Sequence, residues 1–145
     1  MRRFLSTVTM CATMALLLVA SPTMAQNRFT LVYQVHNNSD ACGWFTTYWS
    51  YKSEAHWRIN QEGGGHPQAL APGAWMNGQI TFNYRGLTPQ VKVLVQLKDG
   101  AKCVGSGDHR IWTGVKDYPA DTGDTRQAVV RLTGSRASGY RFTLQ

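Results

Sequence analysis

Gln90-Val91-Lys92-Val93-Leu94-Val95-Gln96-Leu97 is the stretch that decides the fold. Val91, Val93, Val95 and Leu97 fall on one parity, with Lys92 and Gln96 on the other. A period of two is the signature of a half-buried β-strand, whose successive side chains point to opposite faces. Lys98-Asp99-Gly100-Ala101-Lys102 follows, and Asp-Gly after an alternating run marks a hairpin. Upstream, Gln79 to Tyr84 places Ile80 and Phe82 on one side, after a turn at Pro72-Gly73. Downstream, His109 to Thr113 has the length of a short strand, and Asp117 to Asp124 reads as a polar loop.

The same period recurs toward both ends. Phe29, Leu31, Tyr33 and Val35 alternate with Thr30, Gln34 and His36, and Asn37-Asn38-Ser39-Asp40 is a cluster of turn formers. Ala55, Trp57 and Ile59 alternate beyond Lys52-Ser53-Glu54, and Gly63-Gly64-Gly65-His66-Pro67 reads as a loop. Gln127 to Leu132 and Tyr140 to Leu144 form a closing hairpin. No segment sustains a 3.6-residue apolar period. The expected fold is all-β: an antiparallel β-sandwich of seven or eight strands, with a small closed β-barrel as the alternative.

Composition agrees with a packed domain. Of the 145 residues, 43% are hydrophobic and 16% charged, too apolar a balance for intrinsic disorder. The length suits one domain.

The N-terminus reads as an export signal. Arg2 and Arg3 precede an apolar run from Met10 to Ala20, Ser21-Pro22 breaks it, and Thr23-Met24-Ala25 supplies small residues for cleavage. That run is shorter than the ~20 residues that span a bilayer. Residues 1–25 are thus read as a cleaved signal peptide and 26–145 as the domain, secreted or periplasmic. No cysteine follows Ala25 closely, as a lipid anchor requires. Loss of Arg2 and Arg3 from the 15 basic residues leaves 13 against eight acids, a net charge of +5. That excess favours anionic partners such as an envelope polymer or acidic protein. Cys11 leaves with the signal, so Cys42 and Cys103 are expected to form the disulfide of an oxidising compartment. Asn37-Asn38-Ser39 also matches the N-glycosylation pattern.

Catalytic patterns are weak. His36, His56, His66 and His109 lack the i, i+4 spacing of a helical metal site. His56 and His66, with Glu54 or Glu62, form the alternative of a small exported hydrolase or metalloenzyme. Gly105-Ser106-Gly107-Asp108-His109 has the residue types of a catalytic triad, but contiguous residues of an extended segment cannot converge. Asp117, Asp121 and Asp124 do not follow the spacing of a helical calcium loop. Gly63-Gly64-Gly65 lacks the Lys-Ser/Thr of a phosphate loop. Arg126, Arg131, Arg136 and Arg141 recur every five residues, an odd spacing that alternates faces, so nucleic acid is not an expected partner. No cofactor and no metal are expected.

The aromatic stretch carries the functional expectation. Trp44, Phe45, Tyr48, Trp49, Tyr51 and Trp57 crowd into 14 positions, with Trp44 and Tyr48 on one parity and Phe45, Trp49 and Tyr51 on the other. One face of a sheet turns to the core and the other usually meets water, so either this strand is buried on both faces, its rings purely structural, or one set lies exposed. Exposed Trp and Tyr offer stiff contact area with a polar edge. The candidate binding residues are therefore Tyr48, Trp49, Tyr51 and Trp57, with Lys52 and Arg58 beside them. They suggest a non-catalytic binding protein for an envelope protein, such as a hydrolase to be inhibited, or an anionic polysaccharide. A structural envelope or membrane-contacting module is the third reading.

Overall fold

The computed structural model describes residues 28–63, 67–83, 86–98, 103–104, 107, 109–119 and 125–145. The expected signal peptide, the Asp99-Gly100 hairpin and His66 lie outside these residues.

Among the described residues ten strands form two sheets. They are β1 (Arg28–Ser39), β2 (Cys42–Tyr51), β3 (Arg58–Ile59), β4 (Gln68–Leu70) and β5 (Trp75–Asn83). Then follow β6 (Pro89–Lys98), β7 (His109–Trp112), β8 (Lys116–Asp117), β9 (Thr125–Ser135) and β10 (Gly139–Leu144). One sheet has the order β10-β9-β1-β5. The other runs β3-β2-β6-β7, with β4 also paired to β2 and β8 to β6. Neither sheet closes on itself, so the fold is a sandwich and not a barrel. The count exceeds the seven or eight strands expected because β3, β4 and β8 are only two or three residues long. One pair departs from the antiparallel rule: β1 and β9 run parallel over ten register positions, from Thr30↔Thr125 to Ser39↔Gly134.

The core lies where the odd parity of β1 meets the odd parity of β6. Phe29, Leu31, Tyr33 and Val35 from β1 are fully buried, as are Val91, Val93 and Val95 from β6. Phe45 of β2 meets Phe142 of β10 across the interior, with ring centres 5.8 Å apart. Burial of a large apolar side chain stabilises by roughly 1.5–3 kcal/mol, so these facing parities dominate the cohesion of the layers.

Two buried asparagines tie the sheets. Asn37, a turn former by its residue type, lies with Asn38 and Ser39 at the end of β1. Its side-chain nitrogen donates to the carbonyls of Leu70 (2.8 Å) and Ala41 (2.9 Å), and its oxygen accepts from the Ser39 hydroxyl and N–H. These bonds let a turn-forming residue sit fully buried in a strand, because a buried amide is tolerated when its donors and acceptors are matched. They also occupy the nitrogen that glycosylation would need. Asn60 plays the corresponding part beside β3, touching β1, β2 and β5.

Cys42 and Cys103 form a disulfide, with Cα atoms 5.4 Å apart and a sequence separation of 61. Cys42 opens β2 opposite Lys98, the last residue of β6, so the bond fastens the chain beyond β6 to the start of β2. In the chain-entropy account a loop of this length stabilises by about 4 kcal/mol.

Candidate functional site

The outward face of the six-stranded sheet carries the aromatic and basic groups. Register fixes which residues meet there: Tyr48 opposes Lys92 on one side and Ile59 on the other, and Leu94 opposes Trp112. The Lys92 ammonium lies 4.2 Å from the centre of the Trp57 ring and 4.6 Å from that of Trp112. Tyr48 and Trp112 rings are 5.2 Å apart at 53°. A cation within about 6 Å of an aromatic face is attracted by the ring quadrupole, by about 0.5–1 kcal/mol at an exposed site. Here one cation is held between two indoles. Trp112 and Ile59 stay 45% and 44% exposed, so the platform is open to solvent. Among the described residues Lys92 has no carboxylate partner.

The six residues singled out in the sequence divide between the two faces. Tyr48 and Trp57 join the outward platform. Trp49 turns inward at the sheet margin, packed edge-on against Phe82 (5.5 Å), with the Arg58 guanidinium 4.8 Å above its ring. Tyr51 is buried and does not reach the surface; its hydroxyl donates to the Asn83 carbonyl at 2.9 Å. The reason is the pleat itself: positions 49 and 51 share the parity of Phe45. Arg58 is paired with Glu54. Lys52 is paired with Asp117 at 2.7 Å. The hydrogen bonds from Lys52 and Gln90 hold the Asp117 carboxyl below its usual range. An open cleft of about 730 Å³ follows the β3 margin and brings Trp49, Trp57 and Arg58 together with Ile59, Asn60 and Glu62.

Lys92 and Trp112 complete the platform and were not singled out as binding residues. Lys92 was legible as outward-facing. Trp112 shares the parity of Leu94 only through the β6–β7 register, which no local pattern encodes.

The described histidines are dispersed. His56 is exposed, and its carbonyl accepts from the Ser50 hydroxyl at 2.7 Å. His36 stacks on Trp75 on the other sheet. His109 borders a cleft of about 380 Å³ with Leu97, Arg136, Gly139 and Tyr140. The Tyr140 hydroxyl beside it donates to Asp40 at 3.0 Å. Of the Gly105–His109 segment only Gly107 and His109 are among the described residues, and Asp121 and Asp124 lie outside them. Among the described residues no group of three or more His, Cys, Asp or Glu stands together as metal ligands would, and no helix is long and apolar enough to cross a membrane.

No protein-family model and no curated protein matches this chain. Among solved structures it is similar to the human-specific toxin intermedilysin, with 12% identity and a TM-score of 0.45 over 80% of this chain. It is also similar to a structure described as a trapped toxin, with 14% identity and a TM-score of 0.42 over 81% of this chain. The chain spans about a quarter of the length of each, 23% in both cases. At that level of superposition neither similarity bears on what this chain does.

Proposed function

We propose that this chain is an exported, non-catalytic binding domain for an acidic polysaccharide, held on the outward face of the six-stranded sheet. The observation that carries the reading is the Lys92 ammonium clamped between Trp57 and Trp112, with Tyr48 packed against Trp112. Flat rings offer a stacking surface for the apolar faces of sugar rings, and the fixed ammonium offers a counter-charge to an acid group on the same sugar. Export is supported by the N-terminal signal pattern and by a disulfide that persists only under oxidising conditions.

Retention on immobilised polygalacturonate tests this, with neutral dextran as the control. Binding is expected to polygalacturonate, to fall with salt, and to weaken at least tenfold in a Trp112→Ala/Lys92→Gln variant. Equal retention of that variant, or equal binding to dextran, overturns the reading.

A further inference from the structure

The opposite outward face, that of the four-stranded sheet, repeats the chemistry in a different arrangement. Register places Trp75, His36 and Arg131 in one row across β5, β1 and β9, since His36 opposes Trp75 on one side and Arg131 on the other. Trp75 is 57% exposed, and its ring stacks on His36 with centres 6.4 Å apart and planes at 23°. Arg141 is exposed on the same face. It opposes Thr133, while Arg131 opposes Thr143, so the two arginines are diagonal neighbours on β9 and β10. Such positions lie about 7–8 Å apart, close enough to serve successive acid groups of one chain. One register step along the strands, a shallow groove of about 140 Å³ is lined by Val32, Gln34, Gln127 and Val129. The outward strand positions of this sheet carry no carboxylate side chain.

We infer that this face is a second binding surface for an extended acidic glycan. Trp75 is the stacking ring, Arg131 and Arg141 pair with acid groups, and Gln34 and Gln127 hydrogen-bond hydroxyls in the groove. Charge complementarity selects an anionic occupant. A flat row of one ring, two guanidinium groups and neutral amides suits a sugar polymer lying across the strands. The ligand class rests on the function proposed above; the site does not. Because the two faces of a sandwich point in opposite directions, the domain is bivalent and joins separate polymer chains. Two sites on one body raise avidity for a polymer far beyond either alone.

Titration calorimetry with a short oligogalacturonate, and turbidity with full-length polygalacturonate in calcium-free buffer, test the inference. The wild-type protein is expected to bind two oligomers and to cloud the polymer. Trp75→Ala/Arg131→Gln is expected to bind one and leave the polymer clear, with an unchanged melting temperature because both residues are exposed. A stoichiometry of two and full clouding in that variant overturn the second site. The same results in Trp112→Ala/Lys92→Gln, with loss in Trp75→Ala/Arg131→Gln, overturn the first site and leave the second. No binding of the oligomer, or clouding by a DNA duplex in place of the glycan, overturns both.

Discussion

The side-chain nitrogen of Asn60 donates to the hydroxyl of Tyr33 at 3.0 Å, joining the segment after β3 to the middle of β1. The same nitrogen reaches the Gln79 carbonyl of β5 at 2.9 Å, the side-chain oxygen accepts the Glu62 N–H, and the backbone N–H donates to Thr47 of β2. One buried residue thus bonds to both sheets. Removal of one partner of a buried hydrogen bond leaves the other desolvated and unmatched, at about 1–3 kcal/mol per group. Asn60→Ala is expected to destabilise the fold by roughly 2–4 kcal/mol and Tyr33→Phe by about 1 kcal/mol, read as the shift in urea midpoint. Equal effects of the two variants would show that Tyr33 is the only partner that matters.

Gly78 sits opposite Tyr33 in the β1–β5 register, and an added methyl there would lie 2.3 Å from the tyrosine ring. Tyr33 is 1% exposed and held by Asn60, so the ring has nowhere to go. Gly78→Ala is expected to cost about 1–3 kcal/mol or more through overpacking, against the gain glycine replacement usually brings in a strand. The Gly78→Ala/Tyr33→Ala double variant, which empties the space, should recover part of the loss. Thermal melts of the three variants check it.

These two residues also explain what the sequence conceals. The parity of Val91, Val93, Val95 and Leu97, and that of Phe29 to Val35, is local, and a local pattern is enough to define a strand and its buried side. The disulfide follows from a count: with Cys11 assigned to the expected signal peptide, Cys42 and Cys103 have one possible pairing. Asn37-Asn38-Ser39 reads as a turn because propensity cannot anticipate that Leu70, 33 residues away, supplies an acceptor. The strand read from Gln79 begins four residues earlier, at Trp75, and Gly78 within it makes room for the Tyr33 ring. The parallel pairing of β1 with β9 is invisible because period two is indifferent to the direction of the neighbour. The platform is half legible for the same reason: alternation separates Tyr48 from Trp49, whereas the meeting of Lys92 with Trp57 and Trp112 depends on strand order.

Tyr118 and Tyr33 are expected to lower stability at alkaline pH. Burial pushes the Tyr118 phenol up to about 12, and burial raises Tyr33 against the opposing effect of its hydrogen bond from Asn60. A phenol whose pKa is higher folded than unfolded is kept protonated by the native state. Stability is therefore complete below the unfolded value near 10 and falls as pH rises from there through the folded values. For Tyr118 the loss approaches about 2–3 kcal/mol by pH 12. Urea midpoints should be level from pH 8 to 9.5 and decline above pH 10, and Tyr118→Phe should make the decline shallower. An unchanged slope in that variant would return the alkaline loss to other groups.

The disulfide and the platform are expected to respond independently. Cys42 is buried and Cys103 half-buried at the end of the sheet that carries Lys92, and the bond starts from the last register pair of β2 and β6, Cys42↔Lys98, six residues from Lys92 along β6. Intact mass should rise by two hydrogens on reduction, and a Cys42→Ala/Cys103→Ala variant should lose about 4 kcal/mol of stability. Lys92→Ala should cost under about 1 kcal/mol in stability, because cation–π pairs at exposed sites are weak. It should nevertheless change tryptophan emission, since the charge lies within 5 Å of two indoles. If the cysteine variant, still folded under mild conditions, keeps the wild-type emission and Lys92→Ala does not, the staple and the platform are energetically separate. A common change in both would mean that the disulfide positions the rings.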